Sequence, residues 1–251
     1  MRTQLTLSPL ALLLLMASGA PLAAQQEIPG AMHGAEMRWT PTLYILAEKL
    51  ELAPTIDDRT FAVDAIGWYG NDRSRIWMRG EADISTVESA GEAQLELLYG
   101  KLITPFFDAL VGVRIDHNWG DASATRVLFG AGVEGLAPYW FELEASAFIS
   151  ESGDLSARLT TAYDLLFTQR LILEPRMELN ASAARVPEFG IGSGLTDLEL
   201  GGRLRYELHR KFAPYIGVNW HRRLGGTADF ARDDGEPVSV TSLVAGVRTW
   251  Y

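Results

Sequence analysis

The chain has 251 residues, with 32 acidic side chains against 22 lysines and arginines, no cysteine, and a formal net charge of −10 at pH 7. That acidic balance speaks against a nucleic-acid partner and for cations. The missing cysteines exclude both a disulfide framework and a lipid anchor carried on a leading Cys.

Residues 1–24 read as a secretory signal. Arg2 supplies a thin positive start, Leu10 to Met16 form the apolar core, and Leu22 and Ala24 mark the cleavage edge. That core is too short to span a membrane as a helix. Losing Arg2 with the leader takes the net charge from −10 to −11. Residues 25–42 form a short segment holding Met32-His-Gly-Ala-Glu-Met37. From there to residue 251 no apolar stretch approaches twenty residues, so hydropathy alone would point to a soluble protein.

The period of the pattern points elsewhere. Twelve segments of alternating apolar and polar residues succeed one another. They lie at about 43–52, 60–69, 75–86, 91–101, 107–118, 124–136, 139–150, 154–166, 169–182, 196–208, 213–224 and 239–251. The clearest sets Leu198, Leu200, Leu204 and Tyr206 against Asp197, Glu199, Arg203 and Arg205. A strand sends successive side chains to opposite faces, so one face is greasy and the other is a ladder of charge. A second example sets Ile76, Met78 and Ile84 against Arg75, Arg79 and Glu81.

A sheet in hydrocarbon cannot leave an edge unpaired, and the strand number in bacterial barrels is even. The expectation over residues 43–251 is therefore an all-β, transmembrane, antiparallel up-and-down barrel of twelve strands. Three further signs agree. Connections alternate between short turns and longer ones, the longest being 183–195 and 225–238. Aromatics gather at strand ends, among them Trp68, Tyr69, Trp119, Tyr139, Trp140, Trp220, Trp250 and Tyr251, as an interfacial girdle requires. The last segment sets Leu243, Ala245, Val247 and Tyr251 on one parity, like an outer-membrane insertion tag. Short turns and the N-terminus then face the periplasm, long loops face outward, and Arg248 points into the lumen.

Several stretches resemble the copper resistance protein B family of bacterial outer membranes. They are Gly67-Trp-Tyr-Gly-Asn-Asp-Arg-Ser-Arg-Ile-Trp-Met-Arg79, Gly135-Leu-Ala-Pro-Tyr-Trp-Phe-Glu-Leu-Glu144, Gly153-Asp-Leu-Ser-Ala-Arg158, the run Tyr163 to Glu178, the run Gly190 to Gly201, and Phe212 to Trp220. The resemblance covers roughly residues 60–251 in fixed order. It implies an outer-membrane barrel of copper resistance and homeostasis, with copper ions and other periplasmic copper-resistance proteins as partners. Copper would be bound, exported or sequestered. Relatives often carry a long Met- and His-rich N-terminal segment; here only Met32, His33 and Met37 stand in its place. Thioether and imidazole suit soft, reduced copper, so these three are the candidate metal ligands.

The other histidines read as interfacial or solvated. His117 falls at a strand end on the apolar parity, His209 near the short-turn rim, and His221 on the parity of Tyr215 and Asn219. The inward charges read as ion pairs that fill the lumen, since an unpartnered buried charge is costly. Asp229 to Glu236 reads as a solvated acidic loop, because its order does not match a calcium loop. Gly190-Ile-Gly-Ser-Gly194 reads as a flexible outer loop. No enzyme is expected: residues two after each histidine are Ala35, Trp119, Lys211 and Arg223, so the His-x-Ser of outer-membrane phospholipases is missing. The alternative to a copper protein is a small passive porin or structural barrel.

Overall fold

The computed structural model describes residues 41–54, 59–85, 90–120 and 123–251. The leader and the cluster Met32, His33 and Met37 lie outside these residues. The strands are β1 (Thr42–Pro54), β2 (Arg59–Gly70), β3 (Ser74–Ser85), β4 (Gly91–Thr104), β5 (Phe107–Trp119), β6 (Ala124–Ala137) and β7 (Phe141–Ser150). Strand β8 runs in two pieces, Leu155–Ala162 and Leu165–Leu166, and is followed by β9 (Leu171–Ser182), β10 (Gly194–Tyr206), β11 (Phe212–Arg223) and β12 (Ser239–Trp250). Both pieces of β8 pair with β9, so they are one strand interrupted at Tyr163 and Asp164.

Every strand pairs antiparallel with its sequence neighbour, and β12 returns to pair with β1. The sheet is thus a closed twelve-strand barrel. The seam is finished by the last residue: Ile45 N–H donates to the Tyr251 carbonyl at 3.1 Å, and Tyr251 N–H donates back to the Ile45 carbonyl at 2.8 Å. No helix among the described residues is long and apolar enough to cross a membrane.

The two faces divide as the alternation requires. Leu243, Ile216 and Phe129 stand exposed on the outside, while Arg79, Glu96, Arg114, Glu174, Arg203 and Arg205 are buried inside. One irregularity resets the parity of β1. A bulge after Ala47 breaks its register with both neighbours. Leu46 lines the lumen ahead of it, Glu48 does so as the extra residue, and Lys49 and Glu51 line it beyond. A bulge adds one residue to one strand and re-aims the side chains beyond it. Here it brings two consecutive charges indoors.

Four details differ from the sequence reading. Strand β7 begins at Phe141, because Pro138–Trp140 form a 3₁₀ turn with Tyr139 and Trp140 at φ 68° and 69°. The stretch 225–238 is not all loop: Gly225–Asp233 form a helix, α1, with Ala228 and Ala231 buried on one side. The glycine-rich connection before β10 is not free either. Gly192 N–H donates to Thr227 Oγ1 of α1 at 2.9 Å, and a Cβ on Gly192 would lie 2.3 Å from α1 backbone. Finally, Trp68 does not join the outer girdle. It packs on a luminal cluster of Trp77, Leu98 and Leu110, and stacks on Tyr44 with ring centroids 5.8 Å apart. Period-two geometry cannot put both Trp68 and Tyr69 on the lipid face; Tyr69 takes it.

Candidate functional site: a divided, charged lumen

The inward ladder of each strand meets ladders from strands several places away, so the ion pairs run as chords across the barrel. Arg79 on β3 donates to Glu134 on β6 and, at 2.5 Å, to Glu144 on β7. Arg203 on β10 reaches Glu51 on β1 at 2.5 Å. Arg205 binds Glu174 and Asp164, and Arg248 shares Glu174 at 3.1 Å. Arg248 is therefore luminal, as the parity of the last strand requires.

A further belt crosses the middle. Arg158 on β8 lies 3.6 Å from Glu81 on β3 and 3.4 Å from Glu178 on β9, and donates to Gln94 on β4 at 2.6 Å. Beside it, Arg176 sits 3.5 Å from Glu48 and 3.8 Å from Asp64, while Lys49 holds Asp64 at 3.4 Å. Paired charges of this kind offset one another's desolvation.

The belt separates two cavities. One, of about 660 Å³, opens toward the long-loop end, and the other, of about 390 Å³, lies toward the short-turn end. Asp64, Glu81, Gln94 and Arg158 line both. The larger one is roofed by the two long connections. Helix α1 contributes Thr227, Phe230 and Ala231, and the 3₁₀ turn Pro187–Phe189 contributes Phe189, whose ring lies 4.4 Å from the Arg126 guanidinium. Arg223 N–H donors reach Glu236, tying β11 to the chain after α1.

The larger cavity is acidic, with twelve Asp and Glu against six Lys and Arg in its lining. Asp83 and Glu92 are direct cross-strand partners there, and neither makes an ion pair among the described residues. Like charges placed opposite repel, so this mouth favours cations.

The three histidines among the described residues scatter. His117 stacks on Trp119 at 5.9 Å and bonds Thr125 Oγ1 at 2.8 Å, His209 is exposed in the turn before β11, and His221 lines the larger cavity. Among the described residues no three His, Asp or Glu side chains are grouped to hold a metal ion. Met78 is exposed on the outer face of β3, and Met177 shares the outward parity of Leu173 and Leu179. The luminal aromatics Tyr44, Trp68 and Trp77 were not foreseen; the parity Trp77 shares with Arg75 and Arg79 was the available signal.

A closed antiparallel barrel with a greasy exterior and a charged, chord-filled interior is a membrane-spanning β-barrel of the outer-membrane type. The chain belongs to the copper resistance protein B family, whose description, copper resistance protein B precursor (CopB), matches residues 42–251. It is 42% identical over 208 residues to a copper resistance protein B homolog of Pseudomonas syringae pv. tomato, covering 83% of this chain and 69% of that protein. It is 39% identical over 207 residues to copper resistance protein B of Escherichia coli, covering 82% and 69%. Among solved structures, a KdgM porin superposes with a TM-score of 0.48 at 11% identity, covering 84% of this chain and 98% of that one. The fold assignment rests on the strand pairing itself.

Proposed function

We propose that this outer-membrane barrel serves copper resistance by binding copper weakly, as Cu(I), at Met32, His33 and Met37, and by letting it leave or stay at the outer membrane. Membership of the copper resistance protein B family carries this reading. Two thioethers and an imidazole within six residues are a soft donor set. The barrel offers no equivalent among its described residues: Met78 and Met177 lie on the outer parity, and His221 is the one histidine lining a described cavity. In this reading the tail meets copper from the periplasm, the protein is not an enzyme, and lipid and periplasmic copper-resistance proteins are its partners.

Copper is cargo here rather than a resident cofactor. Titration of the folded protein with Cu(I) against a competing chelator tests the site. We expect Met32→Ala, His33→Ala and Met37→Ala together to abolish binding while the barrel still shows heat-modifiable gel migration. A triple variant that binds as tightly as the parent refutes the tail site.

The Arg158 belt favours a second reading, a structural barrel or nearly closed porin whose copper link is indirect. Copper tolerance of a deletion strain carrying the parent or the triple variant separates the two. Equal rescue by both favours the structural barrel.

A further inference from the structure

The short-turn end of the barrel is unlike on its two sides. Between β4 and β5 and between β6 and β7, the chain turns without a charge from residue 102 to 107 and from 135 to 141. These two turns are stapled together by Leu136 N–H donating to the Phe106 carbonyl at 2.9 Å. They present Ile103, Phe106, Tyr139 and Trp140, all more than half exposed, with Tyr139 at 84% and Trp140 at 70%. Of the other turns on this rim, Asn71-Asp-Arg73 and His209-Arg-Lys211 have exposed charges at their tips, and the turn at 167–170 joins exposed Phe167 to exposed Arg170.

The backbone makes the apolar side more telling. Tyr139 and Trp140 both sit in the left-handed region, which costs an L-residue roughly 1–2 kcal/mol. Strain of this kind persists where surroundings over-determine it. Yet neither ring stacks on another aromatic among the described residues. No ring contact there offsets the cost of holding two large amphipathic side chains out beyond the strand ends.

We propose that a lipid surface does so: on the β4–β7 side the headgroup layer rises over the turn tips and takes up Tyr139 and Trp140, while the Asp72 and Arg210 turns stay in water. The barrel is thus seated unequally, deeper on one side of its short-turn end. Three observations favour lipid over a protein partner. The patch continues the lipid-facing stripe of β7 through exposed Phe141. It carries no charge to specify a protein surface. Phenol and indole rings are the side chains that headgroup layers take.

The chain has no cysteine, so single spin labels can be placed cleanly. Phe106→Cys and Trp140→Cys are compared with Asp72→Cys and Arg210→Cys in phospholipid vesicles, each checked for heat-modifiable migration. We expect labels at 106 and 140 to be broadened by oxygen and protected from a water-soluble nickel chelate, and labels at 72 and 210 to show the reverse. Nickel access at 106 and 140 equal to that at 72 and 210 overturns the proposal and leaves the patch for a periplasmic protein. A second readout needs no cysteine: bromine-labelled lipid should quench the parent more than Trp140→Phe. Equal fractional quenching of the two also overturns it.

Discussion

Replacing Arg158 with Ala removes the side chain that joins Glu81, Glu178 and Gln94 across the boundary between the two cavities. Breaking a buried ion pair by deleting one partner costs about 3–5 kcal/mol. The Arg158 side chain is 10% exposed but that of Glu81 is 36% exposed, so lumen water re-solvates part of what is left. The expected loss is therefore nearer 2–3 kcal/mol, read as a lower urea midpoint for unfolding from vesicles. The larger effect is on permeation. If the belt closes the lumen, the parent should pass almost no current across a planar bilayer. Arg158→Ala should merge the cavities of about 660 and 390 Å³ into one path whose walls keep Asp64, Glu81 and Glu178. That path should conduct and prefer cations. Arg158→Met keeps most of the volume without the charge, so an equal rise in both variants assigns closure to the ion pairs rather than to bulk. If Arg158→Ala loses stability yet stays as tight as the parent, the belt holds the barrel round and something else closes it.

Single contacts carry other consequences. Gly192→Ala would drive a Cβ to 2.3 Å from the backbone at Gly226 and Thr227, and backbone cannot yield as a side chain can. Helix α1 should lift, losing a hydrogen bond of about 1 kcal/mol, with faster hydrogen exchange confined to residues 225–238; unchanged exchange there would refute the docking. Leu97 is half exposed on the outer face of β4, so Leu97→Arg should destabilise by about 2–4 kcal/mol in vesicles if that position lies near mid-bilayer, and urea unfolding measures it. Removing Tyr251 deletes both seam bonds to Ile45, and the fraction reaching the heat-modifiable form should fall; undiminished assembly would mean that the seam closes without it.

The strands were legible because period-two alternation is a local property of the chain. Leu204 beside Arg203 and Arg205 shows which way β10 faces without knowing its neighbours. The bulge in β1 was not legible, since Leu46-Ala-Glu-Lys-Leu-Glu51 fits either parity when read alone. Aromatic position was legible and aromatic face was not: Trp68 and Tyr69 both end a strand, and one must turn inward. Helix α1 is hidden for a different reason. Nine residues beginning Gly-Gly and ending Arg-Asp, whose buried side chains are only two alanines, are too short and too polar to announce a helix, and Gly192 leaves the room in which it packs.

Ion-pair partners lay furthest from the sequence. Alternation shows that Arg79 faces inward, but its partner depends on barrel diameter and stagger, which set which ladders face each other across the lumen. That is why Arg79 meets Glu134 and Glu144, and Arg176 meets Glu48, over separations of 55, 65 and 128 residues. The same geometry argues about copper. A lumen whose cations are already committed to carboxylates, and whose larger mouth holds twice as many acids as bases, attracts a cation while offering it no thioether and a single imidazole, His221. On the proposed tail site, attraction and ligation would be divided between two parts of the chain: oxygens line the barrel, and the sulfurs of Met32 and Met37 lie before it in sequence. A soft Cu(I) ion should prefer the tail sulfurs, and a hard Mg²⁺ ion the lumen oxygens. Cu(I) binding lost in the triple tail variant, with unchanged Mg²⁺ effects on conductance of Arg158→Ala, is the result this division demands; loss of both together would mean that tail and lumen act as one site.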